Sequence, residues 1–153
     1  MAFCDYGTII KKNGIIINGY KVNIPKDIDE FDRYLLERGT CIGDKDMVFC
    51  FYKDWINIFD KNFKKCKDCI GLDDFEDYGA GYSNYKITPK TINGVYFTGK
   101  RYDKGNRYII KFKYKNDYYE VLFGYGVDCN LKYFYGLGGR AYSKYKRWLG
   151  DKI

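Results

Sequence analysis

The sequence predicts an α+β fold: a single domain over 1–153, built on a mainly antiparallel sheet of about six to seven strands with two to three helices packed on it. The expected order is ββ-α-β-α-ββββ-α. Three observations lead there. At 153 residues the chain suits one domain with its own core. Apolar residues recur with helical spacing in three stretches and alternate with polar ones elsewhere. No linker, internal repeat or low-complexity tract divides the chain.

The opening reads as strands joined by tight turns. Thr8-Ile9-Ile10, Ile15-Ile16-Ile17 and Tyr20–Ile24 are separated by Asn13-Gly14 and Asn18-Gly19. Asn-Gly supplies the two positive-φ residues of a type I′ hairpin, so Asn18-Gly19 is expected to turn a hairpin before Pro25 ends the sheet. A helix follows, with Asp27 as cap, Glu30 at the capping-box position and Gly39 as a left-handed stop. Its inward stripe is Ile28, Phe31 and Leu35. The apolar run 47–52 reads as a buried strand. Trp55, Phe59, Phe63, Cys66 and Ile70 then fall at i, i+4, i+8, i+11 and i+15, which predicts a second helix from Asp54 to Gly71.

An acidic loop, Asp73-Asp74-Phe75-Glu76-Asp77, leads into four expected strands at 82–87, 91–98, 107–114 and 118–125. In the third, Tyr108, Ile110, Phe112 and Tyr114 share a face opposite Lys111 and Lys113; Asn116-Asp117 is the expected turn into the fourth. After Gly136-Leu137-Gly138-Gly139, a basic helix from Arg140 turns Ala141, Tyr145, Trp148 and Leu149 inward and stops at Gly150.

Charge is unevenly placed. Residues 1–78 carry 12 Lys+Arg against 15 Asp+Glu, net −3, and residues 79–153 carry 15 against 5, net +10. A field gathered in one half raises encounter rates with anionic partners. Aromatic residues make up 20% of the chain, with 18 Tyr, so that basic half is also rich in flat rings. No apolar run reaches the roughly 18–20 residues that span a bilayer, and the first residues lack a secretory signal pattern. A cytoplasmic protein with no membrane partner and reduced thiols is expected. The abundance of Lys, Asn, Ile, Tyr and Phe fits an AT-rich coding genome.

The chemistry is bounded by the absence of histidine, which removes the Ser-His-Asp and Cys-His systems and histidine metal sites. No Asp or Glu has Lys two positions later, the arrangement of restriction-type nucleases. The acidic loop lacks the spacing of a calcium hand. Asp73, Asp74, Glu76 and Asp77 could gather around a divalent cation, and Cys66-Lys67-Asp68-Cys69 is the most specific-looking metal candidate: thiols at i and i+3 on a helix share a face, but no second such pair completes a zinc set. No cofactor is expected. Gly136–Arg140 matches no nucleotide-binding spacing.

The candidate site is the basic aromatic surface. Lys100, Arg101, Tyr102, Lys104, Arg107, Lys111 and Lys113 follow one hairpin, and Arg140, Tyr142, Lys144, Lys146 and Arg147 follow the last helix. Cations neutralise phosphates while rings stack on bases, and the same mixture anchors protein interfaces. In size, composition and lack of catalytic motifs the chain is similar to phage-encoded inhibitors such as anti-CRISPR proteins. That similarity implies a non-catalytic anti-defence protein, carried by a phage or mobile element and acting in the host cytoplasm. Its partner would be a nucleic-acid-handling host protein or a nucleoprotein complex. The alternatives are direct binding of single-stranded RNA or DNA, and a small histidine-free enzyme using carboxylates or Cys.

Overall fold

The computed structural model describes residues 6–67, 70–71, 74–77, 85–102, 107–127 and 139–150. In chain order the elements are β1 (Tyr6–Lys12), β2 (Ile15–Ile17), α1 (Glu30–Arg38), β3 (Thr40–Gly43), β4 (Met47–Tyr52), β5 (Trp55–Asp60), β6 (Phe75–Asp77), β7 (Tyr85–Ile87), β8 (Lys90–Ile92), β9 (Val95–Tyr102), β10 (Arg107–Tyr114), β11 (Asp117–Tyr125) and α2 (Gly139–Leu149). The class is α+β and the sheets are antiparallel throughout, as the alternation predicts.

The strands form two sheets instead of one. The large sheet has eight strands in the order β2-β1-β11-β10-β9-β7-β6, with β8 also paired to β9; the small one is β3-β4-β5. They stack face to face. Phe49, Phe51, Ile56 and Ile58 of the small sheet meet Phe97, Tyr108, Ile110, Phe112 and Phe123 of the large one in one apolar core. Phe49 is its hub, with ring centroids 4.9 Å from Phe112, 5.2 Å from Tyr114 and 6.0 Å from Phe97. The helices cover opposite outer faces. Leu35 and Leu36 of α1 pack on Cys41, Val48, Cys50 and Phe59, and Tyr145 and Leu149 of α2 pack on Ile9, Ile109 and Leu122. The order of layers is therefore α1, small sheet, large sheet, α2, where helices on a single sheet were expected.

This layering accounts for the largest correction. The segment predicted as a second helix is β5 followed by a turn at 61–62, after which Lys65 bridges back to Phe59 and Ile70 to Ile56. The small sheet is apolar on both faces, so Trp55-Ile56-Asn57-Ile58-Phe59 shows no strand alternation. Its apolar residues matched the helical spacing by coincidence. The turn before it, Lys53-Asp54, links directly paired Tyr52 and Trp55, with Lys53 left-handed at φ 56°.

Other punctuation shifts too. Asn13-Gly14 turns the first hairpin, with φ of 51° and 81°, while Asn18 and Gly19 are not left-handed and turn none. The chain beyond them is not a strand; Tyr20 donates its N–H to the Cys41 carbonyl, and Tyr20, Val22 and Ile24 pack against the α1 layer. Asp29, not Asp27, caps α1, accepting from the N–H groups of Phe31 and Asp32. Gly39 is extended, not left-handed; its smallness is what matters, since a Cβ there would lie 2.5 Å from Cys50 Sγ. Phe31 is exposed and Leu36 takes its place inside. The expected strand 91–98 breaks at Asn93-Gly94 into β8 and β9, and the turn into β11 is Lys115-Asn116. Gly150, at φ 73°, does stop α2.

The sheets are also tied at one edge by polar bonds. Asp44 accepts from the Tyr114 hydroxyl and the Lys115 ammonium, each at 2.7 Å, and from the backbone N–H groups of Asp46 and Met47. Partial burial pushes its carboxyl up, but these donors outweigh it and hold the group at about 2 against an ordinary 3.8. A folded-state value below the unfolded one contributes stability above the unfolded pKa that fades as pH falls through it towards 2. Urea unfolding at pH 5 and pH 2.5 should therefore show a smaller acid-induced loss for Asp44→Asn than for the parent. An equal loss would remove Asp44 from the acid response.

Among the described residues, no helix is long and apolar enough to cross a membrane.

Candidate functional site: an open basic and aromatic trough

Helix α2 covers only part of the outer face of the large sheet. Over Ile9, Ile109 and Leu122 it supplies Tyr145 and Leu149, both buried. Beyond its C-terminal end the face turns polar and no described residue covers it, leaving a trough of about 650 Å³ lined at its edges by Gly14 and Gly94 of two hairpin tips.

Register sets the floor of the trough. Lys113 of β10 lies opposite Tyr118 of β11, and its ammonium stands 5.2 Å from the Tyr118 ring centroid. On the other side Phe97 pairs with Phe112, which places Tyr96 of β9 on the same face and next to Lys113. Tyr96 and Tyr118 are 56% and 62% exposed, although large rings on a sheet are ordinarily covered. One row inward run Lys11 of β1, Glu120, Lys111 and Thr98, each paired with the next.

The inner end is fixed by Trp148 near the end of α2. Its indole N–H donates to Glu120, and its carbonyl accepts from Lys11, whose ammonium also lies 4.4 Å from the indole ring. Burial lowers the Lys11 pKa, partly offset by the Glu120 charge. Glu120 is thus engaged within the wall. Among the described residues, Lys111 and Lys113 have no carboxylate within 4 Å and present their charge to solvent.

The residues expected to form one surface divide into three groups. Lys111 and Lys113 line the trough. Lys100 is exposed on the same face one row further in, paired with Ile109 and with Lys86 of β7. Lys144, Lys146 and Arg147 are exposed on the solvent side of α2, with Lys146 5.2 Å from the ring of half-buried Tyr142. Arg101 and Arg107 leave the set. Alternation sends Arg101 to the inner face, 5.8 Å from the Tyr108 ring, and Arg107 is buried. Tyr102 ends β9 and Arg140 lies in the first turn of α2, but their side chains, like Lys104, lie outside the described residues.

Sequence reading missed Lys11, Tyr96, Thr98 and Tyr118. The alternation of Tyr96, Thr98 and Lys100 after an Asn-Gly turn was a usable signal. Lys11 had none, because its place depends on β1 pairing with a strand more than 100 residues away.

The other candidates change character. Cys66 is on extended chain, accepting at 2.8 Å from the Asn93 side-chain amide, so the helical Cys66–Cys69 geometry is not formed; Cys69 lies outside the described residues. Asp74 accepts from Lys90 and from the Gly71 N–H, and 75–77 are strand β6, not loop. Among the described residues no three Cys, Asp or Glu gather as a metal set. Cys41 and Cys50 are buried opposite one another, and the neighbouring thiol together with burial pushes Cys50 up, away from the reactive thiolate.

The comparisons with known proteins give no match: no family model fits the chain, and neither a curated protein nor a solved structure is similar to it.

Proposed function

We propose that this is a non-catalytic binding protein whose trough takes a single-stranded nucleic acid. The observation that carries the reading is the row Tyr118–Lys113–Tyr96, two exposed rings flanking a cation that has no carboxylate within 4 Å among the described residues. The rings stand two strand spacings apart, about 10 Å at the backbone. A splayed strand can stack one base on each and turn the phosphate between them toward Lys113 and Lys111. The ionisable groups of the trough are lysines, tyrosines and one engaged carboxylate, a set suited to holding an anion.

The test is anisotropy of a labelled single-stranded oligonucleotide over a salt series. With Lys100, Lys111 and Lys113 engaged, the log–log slope should be about −2, from roughly −0.7 for each neutralised phosphate. A matched duplex should bind more weakly. No binding at low salt, or duplex bound equally well, would overturn the proposal.

A second reading is favoured by Lys144, Lys146 and Arg147, which stand on the convex side of α2 outside the trough. Such a surface suits a broad acidic face of a nucleic-acid-handling host protein or nucleoprotein, with this chain acting as a phage- or mobile-element-borne inhibitor of the anti-defence kind in the host cytoplasm. It predicts capture from nuclease-treated lysate that is lost on joint charge reversal of Lys111, Lys113, Lys144 and Arg147. Unchanged capture by that variant contradicts it.

A further inference from the structure

A second cavity, of about 160 Å³, lies between the sheets at the end remote from the trough. It is lined by the start of β1, the ends of α1 and β4, and the Lys53 turn. Among the described residues that line it, the polar side chains are Arg38, Lys53, Thr8, Thr40, Tyr6 and Tyr52, and none is a carboxylate. Both cations are held by rings: Arg38 stands 4.7 Å from the Tyr34 ring centroid, and Lys53 stands 5.5 Å from Tyr52 and 5.8 Å from Tyr6. Neither has a carboxylate within 4 Å among the described residues. Their field reaches the rim. Tyr34 is made more acidic first by its hydroxyl bond to Tyr52 and then by Arg38 and Lys53.

The Lys53 backbone supplies an independent argument. Four hairpins here have two-residue turns, and the first turn residue is left-handed in each: Asn13, Lys53, Asn93 and Lys115. Asparagine takes that conformation at low cost and lysine does not. At Lys115 the cation has a use, bonding Asp44 and Asp46 at 2.7 and 2.6 Å. At Lys53 the cation faces the cavity.

We propose that this cavity binds one phosphate-class oxyanion, either free phosphate or the terminal phosphate of a monoester, through Arg38 and Lys53 with the Thr8, Thr40 and Tyr52 hydroxyls. The volume admits such a group and little more. Amide shifts should be followed by NMR while the protein is titrated with inorganic phosphate, with ribose 5-phosphate, and with chloride at matched ionic strength. Saturable shifts centred on Thr8, Thr40 and Lys53 are expected with the first two and not with chloride. Equal affinities assign the site to free phosphate, and tighter ribose 5-phosphate assigns it to a monoester; both support it. Lys53→Asn keeps a turn-compatible residue and should weaken binding about tenfold, the worth of one charge-assisted hydrogen bond, while oligonucleotide binding at the trough is unchanged. Shifts that do not saturate, that chloride reproduces, or that Lys53→Asn leaves intact would overturn the proposal.

Discussion

Replacing Tyr96 and Tyr118 together by alanine should weaken single-stranded oligonucleotide binding roughly a hundredfold, since each stacked base contributes about 1–3 kcal/mol. The fold should survive, because the two rings are 56% and 62% exposed and take no part in the core between the sheets. Removing them costs at most a modest share of strand propensity, under about 1 kcal/mol each. Anisotropy gives the affinity, and a thermal melt confirms that the variant is folded. The Tyr96→Phe, Tyr118→Phe pair retains the rings and should bind within a few-fold of the parent. A folded alanine pair that binds like the parent would show that the exposed rings are not the platform.

The largest stability effect is expected at Phe49. Its side chain is fully buried, and its ring touches those of Phe97, Phe112 and Tyr114 across the interface of the two sheets. Phe49→Ala removes the ring and leaves a cavity that strands hydrogen-bonded on both sides cannot collapse to fill. The expected loss is about 3–5 kcal/mol, measured by urea unfolding. That is a large fraction of the roughly 5–15 kcal/mol that holds a domain of this size together. A loss below about 1.5 kcal/mol would mean that the sheets do not stack through this ring. Because the trough lies on the opposite face of the large sheet, oligonucleotide affinity should hold wherever the variant is still folded.

These two substitutions also mark what could be read from the sequence. The strand from Arg107 to Tyr114 was legible because one of its faces packs against apolar rings while the other bears lysines, so its alternation survives in the residue order. Helix α2 was legible because its inward positions, Tyr145 and Leu149, keep the helical period and Gly150 takes the left-handed stop. β5 was not. A strand buried on both faces carries no alternation, and its turn residues, Lys53-Asp54, are not ones that announce a hairpin. The candidate site was half legible for the same reason. Lys111 and Lys113 follow from alternation along one strand, whereas their grouping with Lys11, Tyr96 and Tyr118 follows from register across four strands. Arg101 and Arg107 show the converse error: charge read along the chain does not say that the sheet turns Arg101 to its inner face or that Arg107 is buried.

The central claim is tested most directly by mapping where a short single-stranded oligonucleotide touches the protein. Amide shifts on titration should gather on Tyr96–Thr98, Lys111–Lys113, Tyr118–Glu120 and Lys11, with Trp148 moving through its bond to Glu120. Shifts confined to the solvent side of α2 around Lys144 and Arg147, or no shifts at low salt, would contradict the trough as the binding surface.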